Sequence, residues 1–256
     1  MTTSTVFITG ASSGIGESLA RLYASRGFQL GLVARRKELL EELASELTSE
    51  LTPMPAIYAL DVRDAAGLRE AADNFMSRFG VPDVVIANAG ISRGTLTEIE
   101  DDLKAFQEIF DVNVMGMVNT FHPFIAPMRN KAMATLVGIA SVAGFRGIPG
   151  GGAYSASKAA AIKYCESLRV ELRAGGVSVV TICPGYIRTP MTAVNKFKMP
   201  FLIDADEAAV RFARAIDARR SFTVIPWTMG IAGRILRMVP NWLYDRVFSR
   251  MPRKPR

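Results

Sequence analysis

Tyr154 and Lys158 stand four residues apart in Tyr-Ser-Ala-Ser-Lys, and Ser141 lies thirteen residues before the tyrosine. On a helix, positions i and i+4 share a face, so an ammonium at 158 would approach a phenol at 154. A neighbouring cation favours the phenolate, which would bring the tyrosine down from its ordinary pKa of about 10 toward working pH. A phenol tuned in that way can give or take a proton during a reaction. The pair alone is commonplace on solvated helices, so its meaning depends on what the chain builds around it.

Near the start, Val6-Phe-Ile-Thr-Gly10-Ala-Ser-Ser-Gly14-Ile-Gly16 reads as a strand, a tight turn and a helix start. Glycines at 10, 14 and 16 permit close backbone approach, so a pyrophosphate could rest on N–H groups of the turn Ser12-Ser13-Gly14-Ile15-Gly16. The alternative is a plain glycine turn, and its place after the first strand of a βαβ unit favours nucleotide binding. The spacing differs from the G-x-G-x-x-G of ordinary dinucleotide folds. At the end of the second strand, where an acid would hold a ribose 2′-hydroxyl, the chain reads Val33-Ala34-Arg35-Arg36. Arginine suits a 2′-phosphate, which points to NADP(H), unless Arg35 and Arg36 merely open a solvated helix with Lys37.

Short apolar runs rich in β-branched residues alternate with amphipathic stretches. Strands are predicted at Thr5–Thr9, Gln29–Ala34, Ala56–Leu60, Asp83–Ala87, Ala134–Ile139, Val177–Ile182 and Phe222–Ile225. Helices are predicted at about Gly14–Arg26, Lys37–Leu51, Asp64–Arg78, Leu103–Asn130, Tyr154–Ala174 and Asp204–Arg219. Parallel strands need helical crossovers, and right-handed crossovers wind helices onto both faces. The fold class expected is therefore α/β: a single-domain, Rossmann-type, doubly wound seven-stranded parallel sheet over residues 1–225. Residues 226–256 form a basic and apolar extension, packed on the same domain or at an interface. The longest loops, Ser141–Gly152 and Pro184–Ile203, follow strands, and ligands in open α/β sheets bind at that end.

With 256 residues, 49% of them apolar, the chain can bury one large core. Cys165 and Cys183 fall in helical and strand segments, which favours buried thiols over a disulfide and a reducing, cytoplasmic setting. Met1–Thr5 run straight into the first strand, and no apolar run is long enough to span a bilayer, so neither export nor membrane crossing is expected. His122 is the only histidine, which removes His-based triads, and no cluster has metal-ligand spacing. The net charge of +7 is concentrated late: Arg211–Arg256 hold eleven Lys or Arg against Asp217 and Asp245. No reading helix or stacking platform accompanies that charge, so nucleic acid is not the expected partner.

Taken together, these segments resemble the classical short-chain dehydrogenase/reductase family from Thr9 to about Thr189. Thr9-Gly-Ala-Ser-Ser-Gly-Ile-Gly16 is similar to its cofactor turn, Asn88-Ala89-Gly90 to the motif ending its fourth strand, and Asp61-Val62 to the pair that contacts adenine. Asn113, Ser141, Tyr154 and Lys158 fall in the family's catalytic order, and Pro184-Gly185, with Ile187 and Thr189, resembles its nicotinamide-contacting loop. The resemblance implies hydride transfer between NADP(H) and a carbonyl or alcohol. Tyr154 would be the proton donor, Ser141 the partner of the carbonyl oxygen, Lys158 the ligand of ribose hydroxyls and Asn113 the holder of a relay water. It also implies a homodimer or homotetramer. Where NADP-using members often carry a base, this chain has Ser13, so cofactor choice falls mainly to Arg35.

Phe145, Ile148, Met191, Phe197, Met199, Phe201 and Leu202 suggest a partly apolar small-molecule substrate, while Lys196 and Lys198 would suit an anionic handle. An alternative is a 3-oxoacyl thioester reductase drawing an acidic acyl-carrier protein to its basic tail, and another is a non-catalytic nucleotide-sensing regulator. The tail, with Trp227, Ile231, Ile235 and Trp242 among arginines, fits peripheral membrane contact, and a cap on the pocket or a subunit contact is the reading preferred to it.

Overall fold

The computed structural model describes residues 4–48, 53–131, 133–195 and 197–249. Positions 49–51 of the second predicted helix, Lys196 and residues 250–256 of the tail lie outside them. Seven strands form one parallel sheet: β1 (Thr5–Thr9), β2 (Gln29–Ala34), β3 (Ala56–Ala59), β4 (Val84–Ala87), β5 (Thr135–Ile139), β6 (Ser178–Pro184) and β9 (Phe222–Ile225). Their order is β3-β2-β1-β4-β5-β6-β9, every neighbour parallel. Two further strands, β7 (Ile187–Arg188) and β8 (Ile203–Asp204), pair with each other outside that sheet.

Strands buried on both faces read as continuous apolar runs because successive side chains enter opposite cores. In β1, Val6 and Ile8 join the core beneath helices α1 (Gly14–Ser25) and α8 (Ala205–Asp217), while Phe7 enters the other core. There it meets Phe75 of α3 (Ala65–Phe79) edge-on at 5.5 Å and Phe124 of α5 (Gly116–Met128) at 4.9 Å. Asp64 caps α3 by accepting from the Gly67 amide, a contact worth about 1 kcal/mol. Helix α2 (Lys37–Leu47) closes the β2–β3 crossover, and α6 (Gly152–Glu171) lies between β5 and β6.

Three differences from the sequence-based expectation matter for the site. The stretch predicted as one helix over Leu103–Asn130 is α4 (Glu100–Phe110), a π turn at Asp111–Met115, and α5. The loop Pro184–Ile203 contains β7 and the short helix α7 (Pro190–Ala193), which Thr189 caps through reciprocal bonds with Thr192. Finally, the tail forms α9 (Trp227–Met238) and α10 (Asn241–Phe248). Both cysteines are buried free thiols, as their sequence context favours.

Candidate active site

In the strand order, β1 and β4 are neighbours from which the crossovers run in opposite directions, and this switch point opens a crevice at the strands' carboxyl ends. A cavity of about 250 Å³ lies there. It runs from the glycine turn after β1, past Asp61 and Val62, to Ser141, Tyr154 and Lys158, with Pro184, Gly185, Ile187 and Thr189 along its other side. Of the catalytic and cofactor-binding residues singled out from sequence, all but Gly16 and Asn113 line it.

Gly16 acts from behind. A Cβ there would lie 2.1 Å from the Gly10 carbonyl oxygen, so only glycine lets α1 begin tight against the turn. Asn88 braces the same turn, its Nδ2 donating to the carbonyls of Thr9 at 3.1 Å and Gly10 at 3.2 Å. Ser13, the N-cap of α1, makes no side-chain capping bond, so the first-turn N–H groups keep their donor capacity toward an anion. Its hydroxyl instead meets Arg36, whose Nη2 lies 2.9 Å from Ser13 Oγ and 3.0 Å from Ser12 Oγ. Arg35 points to Asp61 at 3.7 Å, and Asp61 also holds Arg63 at 2.8 Å. The Arg63 hydrogen bond, ahead of the other charges, keeps the Asp61 carboxyl below its usual range. The arginine that reaches the glycine turn is thus Arg36, not the Arg35 on which the sequence put most weight.

At the other end, Ser141 follows β5 and caps a short 3₁₀ turn, Val142–Gly144, by accepting from the Ala143 amide at 3.1 Å. Gly144 lets this turn lie against α6, since a Cβ there would come within 2.7 Å of the Lys158 carbonyl carbon. Ser141 thereby hydrogen-bonds to the half-buried Tyr154. The tyrosine departs from expectation. Burial pushes its phenol above the ordinary value, and the Ser141 hydrogen bond only partly opposes this. Lys158 does not supply the expected lowering: its Nζ sits 5.9 Å from the tyrosine ring centre and donates to the Ile139 carbonyl at 2.9 Å. Burial pulls the lysine itself down to about 8. Spacing in sequence gave the shared face, whereas desolvation set the sign of both shifts.

Asn113 lies outside the cavity lining. It sits in the π turn, where its Oδ1 accepts from the Ile91 amide at 2.8 Å. Its Nδ2 donates to the Ile91 carbonyl and the Ser157 hydroxyl, each at 3.0 Å. The side chain ties the chain after β4 to α6. Of the expected apolar wall, Met191 lines the cavity. Phe145 turns away to pack where a Cβ on Gly233 of α9 would meet it at 2.4 Å, and Phe197 packs on Tyr186 with ring centres 6.2 Å apart.

Arg146, which no sequence signal marks, joins the tail to the loop after Ser141. Its guanidinium donates to the Leu236 and Val239 carbonyls at the end of α9, donates to Asn241 Oδ1 at 3.1 Å and covers the Tyr244 ring at 3.9 Å. Tyr244 in turn donates to the Gly147 carbonyl. Arg146→Met should cost about 1–3 kcal/mol, lowering Tm by about 2–4 °C per kcal/mol in a chain this size. Thermal unfolding with an unchanged midpoint would show that the tail is held by its apolar contacts alone.

A family model described as short chain dehydrogenase matches residues 4–199. The chain belongs to the short chain dehydrogenase family. An uncharacterized oxidoreductase of Myxococcus xanthus is 36% identical over 250 residues, covering 96% of this chain and 97% of that one. The 11-beta-hydroxysteroid dehydrogenase A of Sesamum indicum is 37% identical over 187 residues, 73% of this chain and 53% of that protein, so the match spans about half the relative's length. Among solved structures, an alcohol dehydrogenase of Thermococcus sibiricus complexed with 5-hydroxy-NADP superposes with a TM-score of 0.77 at 31% identity, covering 87% of this chain and 96% of that one. A short chain dehydrogenase/reductase of Burkholderia phymatum in complex with NAD gives a TM-score of 0.82 at 25% identity, covering 99% and 98%. Membership makes the protein an oxidoreductase of a family that binds nicotinamide cofactors. The residues present fit such a group: the glycine turn presents backbone, and the cavity from it to Tyr154 is continuous.

Proposed function

We propose that the protein is an NADP(H)-dependent oxidoreductase that reduces a carbonyl to an alcohol, with Tyr154 as the proton donor. The observation that carries this reading is the convergence of Ser141, Tyr154 and Lys158 on one cavity whose far end is the Arg36-braced glycine turn. When bound, the nicotinamide supplies the hydride. Tyr154 would give its proton to the substrate oxygen as the carbonyl is reduced, so that the alcohol rather than an alkoxide is left. Ser141 donates to the same oxygen as charge develops there. Lys158, lowered by burial to about 8 and charged below that value, would hold ribose hydroxyls. An alkoxide is a far stronger base than a phenolate, so a phenol kept protonated by burial still gives up its proton in this direction.

Arg36 and Arg35 support the phosphorylated cofactor, as does likeness to a structure holding an NADP derivative, although another neighbour holds NAD. Met191 in the lining and likeness to an 11-beta-hydroxysteroid dehydrogenase support a lipophilic ketone or alcohol. The test is consumption of NADPH or NADH, followed by cofactor absorbance, across a panel of lipophilic ketones. NADPH should be favoured by about tenfold or more, since a charge-assisted bond contributes about 1.5–3 kcal/mol. No turnover with any ketone or the matching alcohols would sink the catalytic reading.

A further inference from the structure

Trp227, Ile231, Ile235 and Met238 recur along one side of α9, away from Gly230 and Gly233, which face Val224 and Phe145. Their exposures are 69%, 47%, 58% and 80%, and Trp242 at the start of α10 is 69% exposed. An ordinary surface helix turns its apolar side inward and its polar side to water. Here the inner side is held by small residues and the outer side is a stripe of large apolar ones. Single exposed apolar residues need no explanation, but a contiguous stripe marks an interaction surface.

Charge selects the partner. Arg234 and Arg237 border the stripe and Arg246 lies on α10, all exposed. The sequence from 226 onward holds seven Lys or Arg against Asp245 alone. We propose that α9 and α10 form a seat for an anionic lipid surface. The apolar stripe would enter the headgroup boundary, the tryptophans would sit at its depth, and the arginines would extend along it to phosphate groups. Pairing with a second copy fits less well, because a two-fold contact over this stripe would crowd the same arginines together with Asp245 as the only acid on these helices. Among the described residues no helix is long and apolar enough to cross a membrane, so the protein would lie on the surface. The seat is braced against the site: Arg146 holds the end of α9, and Met229 lies where a Cβ on Gly185, a cavity-lining residue, would meet it at 2.7 Å.

Cosedimentation of the full chain with vesicles of phosphatidylcholine, with and without phosphatidylglycerol, tests this without reading turnover, so its outcome is separate from that of the catalytic reading. Wild type should pellet with the anionic vesicles, more weakly at high salt. Ile231→Glu/Ile235→Glu should weaken that binding by about tenfold or more. Arg234→Glu/Arg237→Glu, which leaves the apolar side chains in place, should lose binding to the anionic vesicles in particular. The proposal is overturned if wild type stays in the supernatant, if neither double variant weakens binding, or if light scattering shows an oligomer that Ile231→Glu/Ile235→Glu dissociates while no form pellets with vesicles.

Discussion

Tyr154→Phe is expected to lower carbonyl reduction by about a hundredfold or more while NADPH affinity changes little. The substitution removes one hydroxyl from a half-buried ring and keeps the ring that packs beside Lys158. Ser141 loses its partner at that hydroxyl but keeps its bond from the Ala143 amide, so the loop after β5 should hold its place. Loss of kcat with NADPH binding intact separates a missing proton donor from a disturbed cofactor site, and steady-state kinetics beside a binding titration reads both. Equal kcat in the two proteins would remove Tyr154 from the chemistry. The pH dependence should follow the lysine more than the tyrosine. Burial raises Tyr154, so the donor stays protonated through neutral and mildly alkaline pH, whereas Lys158, lowered by burial to about 8, loses its charge as pH rises through that value. Because kcat/KM reports groups of the free enzyme, it should fall as pH rises through about 8. A profile that stays flat well above that value would deny the charged form of Lys158 its role.

The parts of this site that were legible in sequence are those fixed by local geometry. Strands β1 and β2 are buried along their whole length and so read as near-continuous apolar runs, which is why they fall on their expected residues. The glycine turn, Asn88-Ala89-Gly90 and the Tyr154 to Lys158 spacing sit at strand ends or on one helix face, and all but Gly16 and Asn113 of the catalytic and cofactor-binding residues named reach one cavity. What sequence did not show depends on contacts between distant segments or on burial. Arg146 meets carbonyls ninety and ninety-three positions away, and nothing near it in the chain announces them. Asn113 looked like part of a continuous helix, but the π turn directs its amide to Ile91 and Ser157. Two-residue strands such as β7 and β8 are too short for alternation to register. The direction of the Tyr154 shift failed for a different reason: an i+4 spacing says that two groups share a face, and only the folded environment says how much water each keeps.

Arg36→Ala should weaken NADPH binding by about tenfold to a hundredfold, the loss of a charge-assisted bond of about 1.5–3 kcal/mol, with little change for NADH. The two arginines at the end of β2 are not equivalent. Arg35 shares Asp61 with Arg63, and its 3.7 Å ion pair is exposed, so it contributes little by itself and stands away from the turn. Arg36 reaches back twenty-four positions to Ser12 and twenty-three to Ser13, setting a guanidinium at the corner where Ser13 offers no charge of its own. A base that the sequence lacks before Gly14 is thereby supplied from the next strand. Arg35→Ala should have a smaller effect, and the double variant should lose most of the preference for NADPH over NADH. Titrations with both cofactors distinguish this from a purely structural brace. If Arg36→Ala weakens NADPH and NADH alike, its bonds to Ser12 and Ser13 only shape the turn; if it weakens NADPH alone, the guanidinium reads the extra phosphate.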